Sequence, residues 1–89
     1  MYNSNMNIQT ALEGREVCYS LSKELSKLRY NPDLTKMLRN IENMVTEISK
    51  LEVICRRSHS RAVLETPLKK LNDAVDHLQK LILVAKLMD

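Results

Sequence analysis

The 89-residue sequence is 44% apolar, 28% charged and 3% aromatic, and its 14 Lys and Arg residues exceed its 11 Asp and Glu residues to give a net charge of +3. A chain of this length forms one domain with a small core, so residues 1–89 are treated as a single domain without an enzyme-sized pocket. The positive charges are spread evenly along the sequence, whereas proteins that bind the phosphate backbone of nucleic acids concentrate them on one face.

The cysteines and the apolar segments predict where the protein resides. Cys18 and Cys55 lie far apart and form neither a CxxC motif nor a disulfide framework, which favours a reducing compartment and small buried thiols. The first ten residues are polar and lack a signal-peptide core, and the longest apolar run, residues 81–85, is too short to cross a bilayer. We therefore expect an intracellular protein, cytoplasmic or nuclear, with no membrane span.

A first helix is predicted over about residues 8–29, and residues 1–7 are expected to be flexible. Within this helix, Gly14 either weakens the helix or lets another backbone approach closely, and the sequence leaves both open. The seam has alternating spacings of three and four and runs through Ala11, Gly14, Cys18, Leu21, Leu25 and Leu28.

A second helix is predicted over about residues 32–60. Asn31 is suited to the N-cap, Pro32 to the first helical position, and the negative charge of Asp33 to the positive end of the helix dipole. Its seam spans three heptads and consists of Leu34, Met37, Ile41, Met44, Ile48, Leu51 and Cys55.

A third helix is predicted over about residues 67–87, because Thr66 and Pro67 repeat the cap and proline signal of the second helix. The alternative is a proline kink inside one longer helix. The seam consists of Leu64, Leu68, Leu71, Val75, Leu78, Ile82 and Ala85.

These segments predict an all-α fold in which two long amphipathic helices form an antiparallel hairpin or bundle with a shorter N-terminal helix and coiled-coil-like packing. The stripes of helices two and three are wider than a two-stranded seam needs. We expect another chain to cover an outer flank carrying Leu38, Val45, Leu81 and Met88; the alternative is a monomeric three-helix bundle in which these residues are core. The residues predicted to contact a partner are Leu34, Met37, Leu38, Ile41, Met44, Val45, Ile48, Leu51, Leu68, Leu71, Val75, Leu78, Leu81, Ile82 and Met88.

The most unusual segment is residues 56–61, which carries Arg56, Arg57 and Arg61 together with Ser58 and Ser60. Three interpretations are open. The arginines can contact the phosphates of nucleic acid or of lipid headgroups; one serine can be a phosphorylation site; or the segment is a solvated helix end or bend, where cations suit the helix dipole.

The sequence indicates no catalytic, cofactor or metal site. His59 and His77 each have one potential ligand four residues earlier, Cys55 and Asp73, but a zinc site needs three or four ligands. A chain with a single glycine also has no glycine-rich phosphate loop. We therefore expect no small-molecule substrate.

The predicted function is that of a non-enzymatic assembly subunit or adaptor, which binds helical chains, its own or different ones, through its apolar stripes. One alternative is a small nucleic-acid-binding module that uses residues 56–61. Another is a small helical chaperone or regulator that sequesters one partner.

Overall fold

The computed structural model describes residues 7–88, which form a small bundle of three helices and contain no strand. The helices are α1 (Ala11–Ser26), α2 (Pro32–Ser58) and α3 (Glu65–Met88), and a 3₁₀ turn at Ala62–Leu64 directly precedes α3. The predicted all-α class is confirmed. The predicted flexible segment, residues 1–7, lies outside the described residues except for Asn7.

Contacts between helices define their relative directions. The N–H of Ala11 donates to the Glu52 carboxylate over 2.9 Å, so the start of α1 lies beside the last turns of α2. The Lys86 ammonium lies 2.8 Å from the Glu24 carboxylate, so α1 and α3 end beside each other. Helices α1 and α3 therefore run parallel to one another, and both are antiparallel to α2.

Helix α1 is shorter than the predicted range of 8–29 because Thr10 has an extended backbone and serves as its N-cap. The Thr10 hydroxyl accepts the N–H of Glu13 over 3.1 Å, and the Glu13 carboxylate accepts the N–H of Gln9 over 3.3 Å. The first bond satisfies a backbone donor that the first turn of a helix leaves unpaired, and the second ties Gln9, which precedes the cap, to the helix.

Helix α2 begins where the sequence predicts, with Asn31 as its N-cap. The Asn31 side chain accepts the N–H groups of Asp33 and Leu34 over 2.9 and 3.3 Å. The helix ends at Ser58 because His59 adopts a left-handed backbone with φ of 56°, a common way for helices to terminate. Helices α2 and α3 are therefore separate.

Helix α3 begins at Glu65, two residues before the predicted start, so Thr66 is not its cap. The 3₁₀ turn that precedes it buries Leu64 completely. Pro67 is accommodated in the first turn, where a backbone N–H has no partner within the helix and its absence carries little cost.

A short non-helical segment, residues 7–10, lies at the end of the bundle where α1 and α3 begin; we call it the N-terminal strap. The Asn72 side chain of α3 accepts the N–H of Ile8 over 2.7 Å and donates to the carbonyl of Ile8 over 3.0 Å. The Arg61 guanidinium donates to the carbonyl of Gln9 over 2.6 Å. Side chains remote in sequence thus hold the strap, and Ile8 is buried in the core.

The core runs the length of the bundle and draws on all three helices. At its centre Gly14 brings α1 close to α2: a Cβ at this position would lie 2.8 Å from a methyl group of Val45. The Val45 side chain takes the space that a Cβ on Gly14 would need, whereas the predicted close approach of another backbone stays a prediction. The buried apolar residues are Ile8, Ala11, Cys18, Leu21, Leu34, Leu38, Ile41, Val45, Ile48, Cys55, Leu64, Leu71, Val75, Leu78 and Ile82.

Candidate interaction surface

Most of the residues predicted to contact a partner lie in the chain's own core. Helix α1 and the facing stripes of α2 and α3 enclose them, so a partner could reach them only if the bundle opened. These residues are Leu34, Leu38, Ile41, Val45, Ile48, Leu71, Val75, Leu78 and Ile82. Those that are half-buried and pack against the core are Met37, Met44, Leu51, Leu68 and Leu81.

The outer flank predicted from the width of the stripes is largely covered within the chain. Leu38 and Val45 are buried, so the expectation that they face outward in the folded chain is wrong. The reason is the close approach of α1 at Gly14, which covers this side of α2. Leu81 is half-buried, and of the four flank residues Met88 is the exposed one.

Met88 and three apolar residues that were not predicted to contact a partner are exposed on the last two turns of α3. The exposed fractions are 40% for Leu83, 50% for Val84, 80% for Leu87 and 81% for Met88. We call these four residues the α3 terminal patch. Single exposed apolar residues elsewhere on a surface are ordinary, but this part of α3 is apolar nearly all the way round, which is typical of a helix covered by other protein.

An open groove separates α1 from α3. Both helices pack along α2, but they approach each other at few positions. The space between them is about 520 Å³, and its apolar lining includes Val17, Leu21, Ile82 and Leu83. We call this the α1–α3 groove; it meets the α3 terminal patch at Leu83.

Three carboxylates lie along the α1 side of this groove, those of Glu13, Glu16 and Glu24, and Lys86 lies on the α3 side. Hydrogen bonds from Lys86 and, with a smaller effect, from Lys27 hold the pKa of the Glu24 carboxyl below its ordinary value of 4.5. Glu24 is therefore ionised at neutral pH. With three negative charges and one positive charge, the lining of the groove is formally acidic.

The arginine-containing segment forms a helix end and a turn, as one of its three interpretations predicts. Arg56 and Arg57 lie in the last turn of α2. Arg56 and Arg61 line one shallow depression, which Arg57 does not line. The guanidinium of Arg61 also binds the carbonyl of Gln9 in the strap. Phosphate binding by Arg56, Arg57 and Arg61 stays a prediction, as does phosphorylation of the serines.

Both cysteines are free and buried, as expected for small core residues. Burial raises the pKa of the Cys18 thiol to about 11, with a smaller contribution from the negative charge of Glu42. The thiolate is therefore scarce at neutral pH. Within residues 7–88, no three His, Cys, Asp or Glu side chains are grouped as a metal site requires.

Sequence reasoning missed the main surface residues for identifiable reasons. Val17 falls outside the seam of helix one, so the heptad pattern did not identify it as a residue that lines the groove. Leu83 and Val84 lie in the apolar run 81–85 that served only to exclude a membrane span, and Leu87 is the last residue of the predicted third helix; a segment that is apolar all round was itself a signal. Asn72 gave no local signal, because its partners in the strap are 64 positions away.

Comparison with known proteins finds no matching family model, no significantly similar curated protein and no significantly similar solved structure. No helix formed by residues 7–88 has the length and apolarity needed to cross a membrane.

Proposed function

We propose that this chain is a non-enzymatic assembly subunit or adaptor that binds a helical segment of another chain through the apolar surface at the end of α3. The observation that carries the proposal is the α3 terminal patch, four neighbouring apolar residues that the bundle leaves at least 40% exposed. Covering such a surface removes apolar area from water, at about 25 cal/mol per Å². We retain coiled-coil-like packing as the expected geometry of this contact.

Helical spacing supports this assignment. Leu83 and Leu87 are four positions apart, as are Val84 and Met88, so both pairs lie one turn apart on the surface of the helix. This is the i, i+4 arrangement by which an amphipathic helix packs against a partner helix. The patch ends beside Lys86, whose ammonium is already paired with Glu24, so the contact does not require burial of an unpaired cation.

Site-specific photocrosslinking tests the proposal. A photoreactive benzoylphenylalanine replaces Leu87 in the full chain, which is irradiated in its cell of origin and, separately, after purification. The matched control carries the same group in place of Leu12, an apolar residue of α1 that is 62% exposed and lies outside the patch. We expect a discrete adduct from position 87 and none from position 12.

The mass of the adduct distinguishes the kinds of assembly. An adduct of the purified chain at twice 10.3 kDa indicates self-assembly, and a larger adduct formed only in cells indicates a different partner. A regulator that sequesters one partner would use the same surface and would give a one-to-one adduct. Equal labelling from positions 87 and 12, or no adduct from position 87 in either setting, would refute the proposal.

A further inference from the structure

The α1–α3 groove has the geometry of a four-helix bundle that lacks one helix. In such a bundle, each helix packs against two neighbours. Here α2 packs against both α1 and α3, whereas α1 and α3 have the open groove between them. A helix placed in the groove would contact both of them and lie diagonally opposite α2.

The length and lining of the groove suit a helix of about three turns. Its lining extends along α1 from Glu13 to Glu24, a distance of about 16 Å at 1.5 Å per residue. The apolar lining comes from Val17 and Leu21 on one side and from Ile82 and Leu83 on the other. A ligand helix with apolar residues at positions i, i+3 or i+4, and i+7 would face this lining with one stripe.

The charges around the groove indicate which charge a ligand helix should carry. The Glu24 carboxylate is paired with both Lys86 and Lys27, so Glu13 and Glu16 supply the acidic excess of the groove lining, although the chain as a whole carries a net charge of +3. In a two-fold symmetric dimer, the same surface of each copy meets the other, so a second copy in this groove would bring two acidic rims together. Charge complementarity instead favours a partner with cations beside its apolar stripe.

We propose that the α1–α3 groove binds a basic amphipathic helix from a different chain, which becomes the fourth helix of the bundle. This inference rests on the proposed function in one respect, namely that the partner is helical. It concerns the groove, which shares Leu83 with the α3 terminal patch. Glu16 belongs to the groove alone and Leu87 to the patch alone, so changes at these two positions test the surfaces separately.

The probes for the experiment are two synthetic 18-residue helical peptides that share one leucine stripe. Lysines flank the stripe in the first peptide and glutamates in the second, and binding to the full chain is measured by fluorescence anisotropy at low and high salt. The net charge of +3 makes nonspecific attraction favour the glutamate peptide. A preference for the lysine peptide, weakened by salt, is therefore the expected result and reports on the groove.

Two variants of the chain locate the binding. Glu16→Lys reverses a charge at the groove, and the matched control Glu47→Lys makes the same change on α2, at an exposed residue that does not line it. We expect Glu16→Lys to weaken binding of the lysine peptide by about two- to fivefold and to strengthen binding of the glutamate peptide, with smaller effects from Glu47→Lys.

Several outcomes would overturn the inference. Equal affinity for the two peptides, or equal effects of Glu16→Lys and Glu47→Lys, would remove the charge argument. Self-association that Glu16→Lys alters would mean that a second copy occupies the groove. If neither peptide binds, the groove is not a docking site, whereas a crosslinked adduct from Leu87 would still support the proposed function.

Discussion

Substitution of Gly14 by alanine tests whether the contact between α1 and α2 requires a residue without a side chain. Gly14 does not have a positive φ, so its backbone is open to any residue and the requirement is steric. A Cβ would lie 2.8 and 3.4 Å from the two methyl groups of Val45 and 3.6 Å from a methyl group of Leu71. The first distance requires a shift, and a valine in a helix has few alternative rotamers.

The magnitude follows from two opposing effects. Alanine is favoured over glycine inside a helix by about 1 kcal/mol, whereas overpacking a core costs roughly 1–3 kcal/mol. We therefore expect Gly14→Ala to lower the free energy of unfolding by about 1 kcal/mol. For a domain of this size, the melting temperature should fall by roughly 4–8 °C.

A double-mutant cycle with Val45→Ala provides the control, because that change removes both methyl groups that the new Cβ would approach. In the Val45→Ala background, Gly14→Ala should stabilise the chain by up to about 1 kcal/mol, so the sign of its effect should reverse. The free energies of unfolding come from urea denaturation followed by circular dichroism. If Gly14→Ala stabilises the original chain, or has the same effect in both backgrounds, the steric explanation is wrong.

Two further predictions concern the strap and the pairing of Glu24. Asn72→Ala should lower the free energy of unfolding by about 1–3 kcal/mol, because it leaves backbone groups unpaired, and it should speed hydrogen exchange at the Ile8 amide. The control is Asn43→Ala, on the exposed face of α2. Unchanged exchange at Ile8 in the Asn72→Ala variant would contradict the prediction. The pKa of the Glu24 carboxyl is lower in the folded chain than its ordinary value of 4.5. The pairing of Glu24 therefore stabilises the fold above pH 4.5, and this stabilisation is lost as the pH falls through the lower pKa of the folded chain. Between neutral pH and the acid range, Glu24→Gln should therefore lose less stability than the original chain in urea denaturation, and parallel pH profiles would count against the pairing.

Local signals in the sequence predicted the start of α2 but not that of α3. At Asn31 and Pro32, the cap and the proline act within one turn of the helix, so the sequence contains the whole signal. At Pro67, the same signal predicted the start of the third helix. Burial of Leu64 in the core instead extends the helical segment towards its N-terminal side, before Pro67. That burial is a tertiary effect which local preferences do not represent.

The exposed surface was harder to predict than the core, because the sequence does not show how closely α1 packs on α2. Its first turns carry Ala11, Gly14 and Cys18, small residues that offer little apolar area for burial. In the structure all three are buried, and the small residue at Gly14 is what allows α1 to cover Val45. Once α1 occupies that side of α2, the groove and the end of α3 stay uncovered, and the stripe of a single helix does not reveal either of them.

The hydrogen bonds of the N-terminal strap also constrain the order in which the molecule folds. They join Ile8 to Asn72 and Gln9 to Arg61, pairs that are 64 and 52 positions apart. Closing such long loops early would cost chain entropy with few contacts to offset it, so we expect the strap to dock after the helices have packed. Protection of the Ile8 amide in a pulse-labelling experiment should therefore appear in the final kinetic phase and mark completed assembly of the bundle.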